Sequence, residues 1–100
     1  MADIEYKGIS GLEPEDRDMI KGLAEEYYPK IQRELKNVTK LVVHIKSSSK
    51  GGHRIRYHIN VRAEAPTRIF ESSSEEWDLA KGLHEAFKEV KREIQHHFRD

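Results

Sequence analysis

A chain of 100 residues has room for one hydrophobic core and no second one. It has no cysteine, which excludes a disulfide framework and a thiolate zinc site, and no long apolar run, which excludes a helical membrane span. Charged and hydrophobic residues each make up 36%, and the apolar ones are regularly spaced, so a disordered chain is rejected; the net charge of zero argues on its face against nucleic acid as a partner.

Met1 to Ser10 lacks the basic start and apolar stretch of a signal peptide, so a cytoplasmic location is expected. Ile4 to Ile9 alternates, with Ile4 and Tyr6 on one side and Glu5 and Lys7 on the other. A period of two predicts a first strand, ended by the stretch from Gly8 to Gly11. A helix follows. Pro14 suits its first position, where a missing N–H costs nothing, and Glu15, Asp16 and Asp18 suit the positive end of the helix dipole. Ile20, Leu23, Ala24, Tyr27, Ile31, Leu35 and Val38 step by three and four, which predicts one buried stripe. Tyr28 falls off it. Pro29 interrupts the helix at a cost of roughly 3 kcal/mol. The stripe keeps phase across Pro29, so a kinked helix is expected rather than a break.

Leu41 to Lys46 reads as a second strand, with Leu41, Val43 and Ile45 inward. Ser47 to Gly52 reads as a polar loop with two glycines free to take positive φ. His53 to Arg62 alternates almost without fault. Ile55, Tyr57, Ile59 and Val61 lie on one side; Arg54, Arg56, His58, Asn60 and Arg62 lie on the other. The two strands are expected to form a hairpin. If their even-numbered residues share the open face, paired residues have numbers with an even sum, as in a pairing of His44 with Arg56. Residues 63–67 turn around Pro66. Arg68 to Ser72 reads as a short fourth strand, in which either Ile69 or Phe70 faces the core. Ser73 and Glu76 have the spacing of a capping box for a last helix, with Trp77, Ala80, Leu83, Phe87, Val90, Ile94 and Phe98 as its buried stripe. Gly82 weakens that helix by about 1 kcal/mol relative to alanine, which close packing would explain. The expected architecture is α+β, in the order β-α-β-β-β-α, with a four-stranded sheet carrying both helices on one face, in a single domain over residues 1–100.

The zero net charge conceals a partition. Residues 1–39 hold six Lys/Arg and nine Asp/Glu, a net of −3; residues 40–70 hold seven and one, a net of +6; residues 71–100 hold five and eight, a net of −3. The positive third contains the hairpin. His44, Lys46, Arg54, Arg56, His58, Asn60 and Arg62 are expected on the open face, with Lys50 and His53 on the adjoining loop. Arginine presents a rigid fork of donors to phosphate and stacks on bases, and Asn and His reach base edges and 2′-hydroxyls, so the pattern points to RNA. The plain alternative is a face kept soluble by charge. A merely soluble face would mix Glu with Lys, and Glu64 is the one acid in the segment.

Other chemistry finds less support. His96 and His97 are adjacent and diverge by about 100° on a helix, His84 is too distant to join them, and His44 and His58 have no carboxylate beside them in sequence, so no metal is assigned. There is no nucleophile elbow, no phosphate-cradling glycine loop at a helix start and no HExxH, so no enzyme, cofactor or small-molecule substrate is expected. Trp77 and the Tyr27–Tyr28 pair could serve as stacking platforms, but at helical spacing Trp77 and Tyr27 read as core.

The opening strand IEYKGI, LEPEDRDMI at the start of the first helix and the long final SSEEWDLAKGLHEAFKEVKREI, taken with the element order, resemble the ribosome hibernation-promoting factors, or ribosome-associated inhibitors. The resemblance spans the chain, in the short form that lacks a C-terminal dimerisation domain. It implies a fold similar to a double-stranded-RNA-binding domain. It also implies binding to small-subunit ribosomal RNA between head and body, a blocked decoding channel and a role in stress. Lys88, Lys91 and Arg92 resemble the basic residues usual in the last helix of that family. The expected partner is therefore the small ribosomal subunit, bound by a monomer with no membrane association. Phosphate contacts are expected from Lys46, Lys50, Arg54, Arg56, Arg62 and Arg68. The alternative is a non-enzymatic protein-interaction or homo-oligomerisation module.

Overall fold

The alternation and the helical stripes fold as their periods require. The computed structural model describes residues 3–36, 38, 40–50, 54–66 and 68–99, without the side chains of Lys50 and Arg99. Strand β1 spans Ile4–Lys7, helix α1 Pro14–Glu34, strand β2 Lys40–Lys50, strand β3 Arg54–Ala65, strand β4 Arg68–Glu76 and helix α2 Leu79–Arg99. The four strands form one sheet in sequence order. β1 runs parallel to β2, with Ile4 opposite Leu41 and Lys7 opposite His44. β2–β3 and β3–β4 are antiparallel.

The inward residues of the sheet are Leu41, Val43 and Ile45 from β2 and Ile59, Val61 and Ala63 from β3, all buried. Against them pack Ile20, Ala24, Ile31 and Leu35 of α1 and Leu83, Ala86, Phe87, Val90 and Ile94 of α2. Tyr27 stacks on Phe87 with ring centroids 4.9 Å apart, and its hydroxyl lies 2.8 Å from Nδ1 of His84. Burial, with Glu26 nearby, pushes the Tyr27 phenol up. Tyr28, expected off the stripe, is buried as well. α1 passes through Pro29 without ending. Pro29 is exposed, so water can satisfy the carbonyl that loses its partner.

Two glycines are needed where they stand. Gly8 has φ of 78°, and a Cβ there would strike the carbonyl oxygen of Ile45. At Gly82 a Cβ would strike Cδ1 of Ile59 and lie 3.2 Å from Cβ of Glu76, so glycine lets α2 approach the sheet closely. β4 meets α2 through hydroxyls: Ser72 donates to the carbonyl of Ala86 at 2.6 Å and Ser74 to that of Gly82 at 2.8 Å.

Three expectations are corrected, and one left open is settled. Ser47–Lys50 is strand, not loop, because β2 and β3 pair up to Lys50 with Arg54; His44 therefore faces Asn60 rather than Arg56, with the even sum retained. β4 runs on to Glu76, so Ser73 and Glu76 pair with β3 and cap nothing. Asp78 caps α2 instead, its carboxylate accepting from the N–H of Lys81 at 3.2 Å. Trp77 and Phe98 are exposed, since one precedes α2 and the other lies beyond the layer of buried side chains. In β4, Phe70 is the inward residue and Ile69 faces out. Gly51, Gly52 and His53, placed in the loop from sequence, lie outside the described residues.

Candidate nucleic-acid interface

Both helices cover one side of the sheet, and the period of two places every even-numbered residue of β2 and β3 on the other. Register converts that list into rows. Glu5, Val42, Arg62 and Glu71 form one row; Lys7, His44, Asn60 and Ser73 the next; then Lys46, His58 and Glu75; then Ser48 and Arg56; and Lys50 faces Arg54. His44, Lys46, His58, Asn60, Ser73 and Glu75 line a shallow depression of about 550 Å³ in the middle of this face. Asn60 is anchored there. Its amide nitrogen donates to the carbonyl of Ser72 at 3.2 Å and to Oγ of Ser73 at 3.0 Å.

The hairpin outruns its neighbours. β1 pairs with β2 only as far as His44, and β4 pairs with β3 only from Tyr57. Ser47–Ser49 and Arg54–Arg56 therefore form a two-stranded arm, exposed on both faces; Ile55, of inward parity, is 48% exposed. A strand edge of this kind, rich in Arg and Ser, meets water or a polar partner.

The charge of the face is lower than the sequence partition implies. Glu75 meets Arg56 at 3.3 Å and Nε2 of His58 at 2.8 Å. Arg62 lies between Glu64 at 3.5 Å and Glu71 at 3.6 Å, and its buried Nε makes no hydrogen bond. Glu5 is shared by Lys7 at 3.5 Å and Lys40 at 3.7 Å. All these pairs are partly exposed, so each is worth about 0–1 kcal/mol, and a polyanion can compete with the glutamates. Lys46 is exposed and has no ion-pair partner among the described residues; Arg54 has none either, and its guanidinium lies 5.2 Å from the ring centroid of Trp77.

Several residues singled out from sequence are elsewhere. Arg68 has the parity of Phe70 and points to the helix side, where it lies 2.7 Å from Nδ1 of His97 and over the Phe70 ring. It is not part of the open face. Lys88 and Arg92 line the flank of α2 beside Ser73 and Ser74 of β4, with Arg92 bonded to Glu89 at 3.1 Å. Lys91 lies seven residues from His84 and four from Gln95, on the flank whose members contact Tyr27 and Glu34 of α1. These three helix residues are therefore split between two flanks. His53 and the side chain of Lys50 lie outside the described residues, although the backbone register places Lys50 on the open face.

Sequence reasoning favours the core for Trp77, which lies on this face, and misses the acids of β4. The alternation in RIFESSSEE does place Glu71, Ser73 and Glu75 outward once Phe70 is known to face in. Lys7 reads as outward from its own strand, but only the parallel pairing with β2 brings it beside His44. Among the described residues, no three His, Asp or Glu side chains gather where they could hold a metal ion, and no helix is long and apolar enough to cross a membrane.

No protein-family model matches the chain, and no curated protein matches it in sequence. Solved structures do. A ribosomal subunit interface protein from Coxiella burnetii superposes with a TM-score of 0.72 at 10% identity, covering 98% of this chain and 99% of its own. The Protein Y N-terminal domain of Thermus thermophilus gives 0.61 at 15% identity, over 97% and 99%. The fold that the resemblance implied is borne out in this way. The chain has the β-α-β-β-β-α fold of the Coxiella ribosomal subunit interface protein and the Thermus Protein Y N-terminal domain, along its whole described length.

Proposed function

We propose that this protein is a non-enzymatic, ribosome-associated factor of the hibernation type. It binds small-subunit ribosomal RNA through the open face of the sheet and blocks the decoding channel by occupying it. The observation that carries this reading is the hairpin of β2 and β3. It sets Lys46, Arg54 and Arg56 on an uncovered face, in a fold shared with a protein whose name places it at the ribosomal subunit interface. The resemblance in element order and segment character to the hibernation-promoting factors supports the same conclusion, and so does the acidic character of the two flanking segments. Acidic helices repel nucleic acid, so binding is confined to one face.

The binding is electrostatic and steric. Guanidinium and ammonium groups on the arm replace counterions at phosphate oxygens, and no bond is made or broken. Lys46, Arg54 and Arg56 carry the main contacts, with Lys50 beside them in register. Arg62, held between Glu64 and Glu71, adds little. Co-sedimentation with purified ribosomal subunits at two salt concentrations tests the proposal. The protein is expected in the pellet with the small subunit at low salt and largely released at high salt. A protein that stays in the supernatant with both subunits at low salt would overturn it.

A further inference from the structure

Trp77 is the one tryptophan of the chain, and the core does not use it. It stands between β4 and α2, with 47% of its surface exposed. Tyr57 pairs with Glu76, so extending that register by one residue sets Trp77 beside Arg56, on the open face. The guanidinium carbon of Arg54 lies 5.2 Å from the indole centroid and that of Arg56 lies 5.7 Å from it. Arg56 is also held by Glu75 at 3.3 Å. Two arginines are thus gathered around an exposed aromatic ring at the root of the projecting arm.

We propose that Trp77, Arg54 and Arg56 form a stacking platform for an unpaired nucleobase of a single RNA strand. The proposal rests on the RNA-binding reading above and names the part of the RNA that this corner takes. An indole presents a π-face that any base can stack on, which makes such contacts tolerant of sequence. A guanidinium can lie against the base or turn its fork to the adjoining phosphate. Holding both arginines near the ring beforehand reduces the ordering cost of binding. A duplex hides its base faces, so the platform selects loops, bulges and single strands. An acidic peptide would satisfy the arginines and leave the ring unused.

The single tryptophan makes the test specific. Its emission is followed while the full chain is titrated with a short single-stranded RNA, the same RNA as a duplex, and polyglutamate. Fluorescence anisotropy of labelled RNA reports binding in parallel. The expected result is saturable quenching by the single strand that tracks the anisotropy, and weaker quenching by the duplex. Trp77→Ala should weaken single-strand binding by roughly tenfold or more, and Trp77→Phe should retain most of it, with unchanged melting as the control for folding. RNA binding with unaltered emission, and equal affinity for Trp77→Ala, would overturn the platform and leave the RNA-binding reading standing. Equal quenching by polyglutamate would overturn it in favour of a protein partner. Absence of binding by anisotropy to any RNA, together with no co-sedimentation with ribosomal subunits, would remove the RNA-binding reading and the platform with it.

Discussion

Arg62 and Arg54 lie on the same face of the same strand, eight residues apart, and they meet opposite fates. Around Arg62 the sheet is complete: β2 lies on one side and β4 on the other. Glu64 and Glu71 take up its charge, and its Nε is shut away from water. Around Arg54 the sheet has narrowed to two strands, and the near neighbour is the ring of Trp77. One arginine is held by carboxylates and the other by an aromatic face. Residue type and strand parity are identical. The difference lies in the neighbours, Glu64 of β3 and Glu71 of the fourth strand for one and an aromatic ring for the other, and it separates a charge spent on the fold from a charge available to a partner.

The largest expected effect comes from removing the free end. Replacing Arg54 and Arg56 together by alanine should lower affinity for single-stranded RNA by about tenfold at low salt. It should also flatten the dependence of log affinity on log salt by about 0.7 for each phosphate no longer neutralised. Arg62→Ala should leave both quantities nearly unchanged and lower stability by at most about 1 kcal/mol, because exposed and half-exposed pairs contribute little. Equal losses of affinity from the two ends, measured by anisotropy across a salt series, would erase the distinction.

A smaller effect, of opposite sign, is expected at the boundary between the ends. Glu75 ties down Arg56 and His58. Glu75→Gln removes that competitor without changing shape, and should tighten RNA binding by about 1 kcal/mol or less, the worth of such a pair. Binding that weakens would show that Glu75 positions Arg56 for the RNA rather than competing for it.

The smallest effect belongs to the covered side of the sheet. Burial raises the phenols of Tyr6, Tyr27 and Tyr57 above the usual 10.0, with Glu25, Glu26 and Asp16 respectively adding to it. In the unfolded chain these phenols ionise first. Their contribution to stability is therefore complete below pH 10 and declines as the pH rises through the folded-state values. Denaturant midpoints measured from pH 8 to 11 should be flat at first and then fall, with phenolate absorbance of the folded protein delayed to higher pH. Midpoints that rise above pH 10 would contradict the burial argument.

Much of this is legible in the chain. Period-two spacing in HRIRYHINVR assigns both faces of β3, and the even-sum rule assigns the shared face of β2, although the actual pairing is displaced from His44–Arg56 to His44–Asn60. The stripes place α1 and α2, since burying an apolar stripe is the main reason either helix is stable. What fails is local. Ser47–Lys50 and Ser73–Glu76 have the composition of loop and cap, and each becomes strand because a neighbouring strand offers a full ladder of hydrogen bonds. Trp77 reads as core because it steps in phase with Leu83 and Phe87, but α2 begins only at Leu79.

The sequence by itself determined the element order, the faces of the hairpin and the confinement of positive charge to the middle third. Those follow from spacing along the chain, and spacing survives whatever the chain packs against. Only the tertiary structure decided how positive the open face is, which arginines remain available and where the single tryptophan stands. These depend on pairings between distant segments: β1 brings Lys7 and Glu5 to β2, and β4 brings Glu71 and Glu75 to β3. Charge is felt over a few ångströms through space, so the neighbours that set it are chosen by the fold and not by the order of residues.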